Sequence, residues 1–184
     1  MAAINKPKYS KDEISQRFNL KELLGYEPSE EQKKAFYELA VDKMVQRTAD
    51  GKDISGKKFT QYSEEYANFK GVSRSSVDLI LSGDMLSSFE ESQAQKNIVK
   101  IKIAEDQTLK AYNHNVGDTL PKRTFFGLLD ESSVSRILKQ VDSLESRRQS
   151  GDTKATKEKS FNLADLRDAI NVISADFGGF DGDS

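Results

Sequence analysis

The strongest helical pattern along the chain begins after Ser29, where apolar residues recur at the three- and four-residue spacing of an α-helix. The stripe consists of Phe36, Leu39, Ala40, Met44 and Val45. Ser29 and Gln32 form a capping-box pair at its start, and Gly51 marks its end. A long helix is therefore predicted between Ser29 and Gly51.

Further helices are predicted on both sides of this one. A first helix is expected from Ser10, which pairs with Glu13 as a capping box, through Ile14 and Phe18 to Leu23. Short helices are expected at 63–69, at 85–89 and around 109–114. A second long helix is expected at 131–147, with an apolar stripe of Val134, Ile137, Leu138, Val141 and Leu144.

Alternation of polar and apolar residues, which is typical of a strand with one buried face, occurs at Asn97–Ala104. Lys100, Ile101, Lys102 and Ile103 carry it. Leu120–Gly127 is also predicted to be extended, because Pro121 lacks an amide donor and disfavours the α region at the residue before it. A proline near the start of a strand suits an edge strand. Together these elements predict an α+β fold.

The composition changes after the second long helix. Residues 149–160 contain Gly, Thr, Ser and Lys and almost nothing to bury, which predicts a polar linker. Asn162 then opens a helical pattern with Leu163, Leu166, Ile170 and Ile173, followed by a glycine-rich tail. We therefore expect an α+β core domain at 1–148, including N-terminal helices, a linker at 149–160, and a C-terminal helix with a flexible tail at 161–184.

Charge and composition exclude several classes of protein. Lys and Arg number 28 against 30 Asp and Glu, so the basic excess typical of nucleic-acid binders is missing. The chain has no cysteine, which excludes disulfides and thiolate metal sites. Its longest apolar runs are far short of the roughly 20 residues that span a bilayer. Met1–Ser10 lacks the apolar core of a signal peptide.

Candidate catalytic chemistry is sparse. His114 is the only histidine, and a histidine that hydrogen-bonds within a turn explains it more simply than a general base. A hydrolase that uses His114 with Asp118 or Asp84 is the least favoured hypothesis, because no ligand set, nucleophile elbow or phosphate loop accompanies these residues. No catalytic, cofactor-binding or metal-binding residue is assigned.

Three stretches in the middle of the chain resemble, in order and spacing, the motifs of a phage protein family. They are Leu-Ile-Leu-Ser-Gly-Asp-Met-Leu-Ser-Ser-Phe at 79–89, Ala-Tyr-Asn-His-Asn-Val-Gly at 111–117, and Leu-Pro-Lys-Arg-Thr-Phe-Phe-Gly-Leu at 120–128. The chain is similar here to the virion-morphogenesis and tail-completion proteins of tailed bacteriophages. The similarity covers about residues 56–141. Ala111–Tyr112 reverses the family's tyrosine–alanine order, and Thr124 and Phe126 stand where proline and leucine are commoner.

This resemblance implies a small antiparallel sheet packed by several helices and a role without catalysis. It implies a structural virion protein of the neck or tail-completion type, which joins or terminates the tail as part of a homo-oligomeric ring of about six or twelve copies. The expected partners are other neck and tail proteins of the phage, with no membrane and no sequence-specific nucleic acid, although the genome can pass through such a ring. The chain would be made in the cytoplasm of the bacterial host and be found at the head–tail region of the virion. A non-structural assembly chaperone or adaptor is the alternative.

The resemblance and local chemistry also give the motif residues expected roles. Gly83 and Gly117 permit tight turns, and His114 fixes the end of a helix. Pro121 begins a strand that carries Arg123 and Phe125 towards a neighbouring subunit. The C-terminal helix, with Leu163, Leu166 and Ile170, is expected to act as an arm that packs on an adjacent subunit or ring.

Overall fold

The computed structural model describes residues 4–80 and 83–149, with the backbone alone at 93–95, 145 and 147–149. Within these residues the strands are β1 (Lys8–Tyr9), β2 (Ile14–Asn19), β3 (Phe89–Gln95) and β4 (Ile98–Ile103). The helices are α1 (Leu20–Leu24), α2 (Glu30–Ala49), α3 (Glu64–Lys70), α4 (Asp84–Ser87), α5 (Glu105–Val116) and α6 (Glu131–Gln149). The predicted α+β class with a small antiparallel sheet is confirmed.

The strands form one four-stranded antiparallel sheet in the order β1-β2-β4-β3. The predicted strand at Asn97–Ala104 is confirmed as β4, and its burial alternates residue by residue as the sequence pattern indicates. The sheet register aligns Phe18 with Val99 and Gln16 with Ile101. These side chains share one face of the sheet, which we call the inner face.

Helix α2 covers the inner face. The rings of Phe18 and Phe36 lie 5.1 Å apart, and Tyr37 donates a hydrogen bond of 3.0 Å to the carbonyl of Phe89. Both rings of the Phe pair are buried, and full burial of one such side chain stabilises a fold by about 1.5–3 kcal/mol. Helix α6 packs against α2 through Val134, Ile137 and Val141, so the layers are sheet, α2 and α6.

Serine side chains cap the starts of α2 and α3. Ser29 and Gln32 form the full capping box at the start of α2. Ser63 caps α3, and Gly71 ends it with a φ of +70°. The predicted second long helix is confirmed as α6, which continues to Gln149, the first residue of the predicted linker.

The predicted first helix is wrong over most of its length, because Ile14–Asn19 is strand β2. The capping-box residues instead close the turn between β1 and β2. The Ser10 amide donates to the Glu13 carbonyl at 3.0 Å, and the Glu13 amide donates to Ser10 Oγ at 3.0 Å. Serine serves a turn as well as a helix end, and the apolar pair Ile14 and Phe18 fits a strand face as well as a helix stripe.

Three other predictions need correction. Phe89 begins β3 and does not extend the short helix α4, since its side chain aligns with Ile103 across the sheet. Helix α5 starts at Glu105, earlier than predicted. The extended segment expected at 120–127 contains no strand, so Pro121 does not begin an edge strand. The predicted C-terminal helix and most of the linker lie outside the described residues.

Candidate functional site

The segment Arg123–Leu128 follows α5, and five of its six residues are buried although it belongs to no helix or strand. We call it the buried segment. A buried backbone group without a partner costs about 1–3 kcal/mol, so a segment of this kind needs hydrogen bonds from elsewhere. In this protein those bonds come largely from side chains of α5, α2, β1 and β2.

Asn115, in the last turn of α5, binds two amides of the buried segment. Its side-chain Oδ1 accepts from the amides of Phe125 at 3.0 Å and Phe126 at 2.9 Å. Its Nδ2 donates to the carbonyl of Ala111 at 2.7 Å, which fixes the orientation of the amide group. The carbonyl of Asn115 accepts from Thr124 Oγ1 at 2.9 Å. One residue therefore joins the helix to the segment at several points.

Arg47 and Tyr9 bind the carbonyls of the buried segment. The guanidinium of Arg47 donates to the carbonyls of Phe125 and, at 2.9 Å, of Gly127. The hydroxyl of Tyr9 donates to the carbonyl of Phe126 at 2.7 Å. Burial raises the pKa of Tyr9, so its hydroxyl keeps its proton as a donor at neutral pH. Burial also lowers the pKa of Arg47, because it disfavours the charged guanidinium.

Gln16 on β2 pairs with Leu128 as a neighbouring strand would. Its Nε2 donates to the Leu128 carbonyl at 2.8 Å, and its Oε1 accepts from the Leu128 amide at 2.8 Å. Nε2 also donates to the carbonyl of Asn5 at 2.7 Å. Gln16 is only 1% exposed, so this amide group makes up for the missing strand partner inside the core.

His114 lies at the end of α5, beside the buried segment. Its carbonyl accepts from the Arg123 amide at 2.7 Å, a bond of the backbone and not of the imidazole. Its ring Nδ1 is buried and has no hydrogen-bond partner among the described residues. Burial, and then the positive charges of Arg123 and Lys110, lower the pKa of His114 to about 4. The ring is therefore neutral at pH 7.

Arg123 is 5% exposed and points into the molecule. Its Nε donates to the carbonyl of Thr60 at 3.0 Å, and its Nη2 donates to that of Gln61 at 3.2 Å. The guanidinium lies 5.1 Å from the centre of the Tyr62 ring, within the range of a cation–π contact. Arg123 thus ties the loop before α3 to the buried segment.

The structure corrects the expected orientation of two motif residues. Arg123 and Phe125 were predicted to face a neighbouring subunit, but both are buried within their own chain. Pro121 is exposed. Leu163, Leu166 and Ile170 lie outside the described residues.

The two motif glycines lie at sharp turns, as the sequence predicts. Gly83 precedes α4 with a φ of +81°, and Gly117 ends α5 with a φ of +80°. A Cβ atom on Gly117 would lie 2.7 Å from the Cβ of Lys122. A side chain at position 117 would therefore be strained and crowded.

Four residues of the site were missed by the sequence reasoning: Tyr9, Gln16, Arg47 and Asn115. Gln16 gave a signal, since it is a polar residue between Ile14 and Phe18 in what is now a strand with a buried face. A polar residue at an inward position needs a buried partner. Arg47 and Asn115 lie on helices where charged and amide residues are ordinary, and no local pattern distinguishes them.

The charged groups that shift the pKa of His114 are two cations, Arg123 and Lys110. Asp118 lies 3.6 Å from Lys11, where the two residues form an exposed ion pair. Within 4–80 and 83–149, no three His, Asp or Glu residues are grouped closely enough to hold a metal ion. No helix in the same ranges is long and apolar enough to span a membrane.

Comparison of the chain with models of protein families, with curated proteins and with solved structures finds no match.

Proposed function

We propose that this chain is a structural protein of a tailed-phage virion, which joins or terminates the tail at the head–tail junction as one subunit of a homo-oligomeric ring. The observation that carries the proposal is the connection between the second and third stretches that resemble the phage family. Asn115 lies in the second stretch, and its side chain binds the amides of Phe125 and Phe126 in the third. The residues of the resemblance therefore act together to shape a scaffold.

Exposed apolar side chains near this scaffold support a role in subunit contact. Leu109 and Val116 lie two turns apart on one face of α5 and are 55% and 38% exposed. Leu120, in the loop that follows, is 40% exposed. Single exposed apolar residues are ordinary, but a stripe on one helix face beside a loop is typical of a protein interface.

A closed ring requires two different contact surfaces on each subunit, and the exposed apolar stripe on α5 can supply one of them. Each subunit of a closed ring contacts its two neighbours through different surfaces, so one exposed patch must meet another elsewhere on the next copy. The stripe of Leu109, Val116 and Leu120 is one such surface. A change at the stripe should therefore prevent assembly without unfolding the subunit.

The experiment combines a subunit assay with a phage assay. Light scattering and negative-stain images of the purified chain should show rings, and Leu109→Glu should leave folded monomers. Lys110→Glu is the matched control, because it places the same acidic side chain at the next, exposed position, with a larger change in net charge, and should still form rings. Loss of the chain in the phage should give filled heads without tails beside free tails.

Mass spectrometry of purified virions decides between the proposed function and an assembly chaperone. A structural ring component is present in finished particles, whereas a chaperone is absent. Absence of the chain from virions that assemble normally would overturn the proposal.

A further inference from the structure

The face of the sheet opposite α2 carries rows of basic side chains. The register aligns Lys8, Ser15, Lys102 and Glu90 in one row across the four strands. The next row contains Arg17, Lys100 and Ser92. We call this the outer face. An open groove of about 520 Å³ runs along it between Lys6, Lys8, Arg17 and Ile98.

The ion pairs on the outer face leave positive charge unbalanced. Glu13 binds both Lys8 and Lys100, which lowers the pKa of its carboxyl to about 2, and Glu90 binds Lys102 at 2.7 Å. Among the described residues, neither Lys6 nor Arg17 forms an ion pair. Five basic side chains face three acidic ones, Glu13, Glu90 and, beside Lys102, Glu105, so this face has a net charge of +2 in a chain whose total is −2.

The compensating negative charge is concentrated near the C-terminus. Residues 161–184 contain five aspartates and a single basic residue, Arg167, so their side chains carry −4. Residues 1–160 accordingly carry +2. The sequence thus separates an acidic segment from a core that is basic on one sheet face.

We propose that the outer face binds the acidic segment, residues 161–184, of a neighbouring copy of the chain. The inference rests on the proposed ring, in which each copy must offer two different and complementary surfaces. Opposite charges on a segment and a groove supply such a pair, and they also fix which surfaces meet. Binding within one copy would satisfy both surfaces and give this pair no part in the contact between neighbours.

The chain length permits this exchange. Asp142, about two turns before the end of α6, bonds the hydroxyl of Tyr26, which follows β2 and α1. Asp142 therefore lies beside Tyr26, seven positions after Asn19, the last residue of β2. Residues 150–160 can span at most about 36–40 Å when fully extended, at ~3.3–3.6 Å per residue, so the acidic segment is not confined to the end of its own α6.

Zero-length carbodiimide cross-linking of the full chain tests the proposal. Equal amounts of ¹⁴N- and ¹⁵N-labelled protein are mixed in 1 M NaCl and dialysed to 0.1 M before the reaction. Links should join Lys6, Lys8 or Lys102 to Asp165, Asp168 or Asp176, and should appear in mixed-isotope pairs. They should be lost at 1 M NaCl, where the Debye length falls to ~3 Å.

Arg17→Glu should reduce these links at least tenfold, since it reverses a charge in the groove that no described residue balances. The matched control is Arg136→Glu, an exposed position on α6 remote from the outer face, which should leave them unchanged. Links confined to same-isotope pairs would overturn the proposal by placing the segment on its own core. Unchanged links in Arg17→Glu would overturn it as well.

Two further outcomes separate this inference from the proposed function and from another ligand. Rings that form without any of these links would overturn the inference and leave the ring proposal intact, whereas absence from virions would remove the ring proposal. In a gel-shift assay, the parent chain could retard duplex DNA and Arg17→Glu could abolish that retardation while leaving the cross-links unchanged. This result would overturn the inference, because it would show that the outer face binds phosphates.

Discussion

Asn115 Oδ1 lies 2.9 Å from the backbone nitrogen of Phe126, and the same oxygen accepts a second bond from Phe125. A single amide oxygen thus satisfies two consecutive backbone donors inside the core, a pairing that a strand cannot make. The contact joins the end of α5 to a segment with no regular structure. It explains how residues 123–128 can be buried without entering the sheet.

Asn115→Ala should lower the free energy of unfolding by about 2–4 kcal/mol, because it leaves two buried amides without an acceptor. Urea denaturation monitored by circular dichroism measures the change. Asn113→Ala is the control, because this neighbour on α5 makes none of the contacts to Phe125 and Phe126, and it should cost less than about 1 kcal/mol. Equal effects of the two substitutions would contradict the role given to Asn115.

Arg47→Met should destabilise the fold by about 2–4 kcal/mol, since the carbonyls of Phe125 and Gly127 lose charge-assisted hydrogen bonds and remain buried. Methionine keeps most of the aliphatic contact, so the loss reports the polar interaction. Lys43→Met makes the same kind of change at an exposed position one turn earlier on α2, and should stay within about 0.5 kcal/mol of the parent. A stable Arg47→Met protein would show that the carbonyls find other donors.

Local signals were sufficient for the parts of the fold that depend on neighbours in sequence. The capping box of Ser29 and Gln32 located the start of α2, and the alternation at Lys100–Ile103 identified β4. In both cases the residues that define the element also make its contacts, either with their own backbone or with one face of a layer. The pattern and the structure therefore agree.

Sequence reasoning failed where the decisive partner is distant. Gln16 and Leu128 are 112 positions apart, and their pairing replaces the strand that Pro121 and the extended pattern led us to expect. The Ser10–Glu13 pair had two local solutions, a helix start and a turn, and only the pairing of β2 with β4 selects the turn. Contacts of this range leave no periodic trace in a single sequence.

Gly127→Ala should be strongly destabilising, by more than about 3 kcal/mol. Gly127 has a φ of +112°, and a Cβ at this position would lie 2.3 Å from Pro7 Cγ. An unfavourable backbone region alone costs about 1–3 kcal/mol, and the overlap adds to it. Gly25→Ala provides the comparison, because Gly25 has a φ of +84° with no atom near the added methyl. Thermal unfolding of both variants separates backbone strain from crowding, and a similar loss in both would rule out the crowding.

The acid dependence of stability should reflect two partly buried groups, His114 and Asp42, whose effects on stability oppose each other. The pKa of His114 falls from 6.5 to about 4 on folding, so the unfolded chain binds the proton more readily, and stability falls as the pH drops through this interval. Burial and the neighbouring charge of Glu38 raise the pKa of Asp42 from 3.8 to about 6. The folded chain therefore holds the Asp42 proton more readily, and stability rises as the pH drops from about 6 towards 3.8.

His114→Gln should remove the loss of stability in acid that His114 causes, and leave the gain in stability that Asp42 causes. Between pH 7 and pH 5 the free energy of unfolding of the variant should rise by about 2 kcal/mol relative to that of the parent. In the parent, acid favours the unfolded chain because its imidazole binds a proton more readily than the folded one does, and the variant has no imidazole. Asp42→Asn should do the reverse, so that stability falls more steeply with acid than in the parent. Urea titrations at half-unit pH steps measure both slopes, and this range lies above the titration of Glu13 and Asp130, whose pKa values are lowered to about 2. A constant difference between His114→Gln and the parent across this range would mean that the imidazole titrates alike in the folded and unfolded chains.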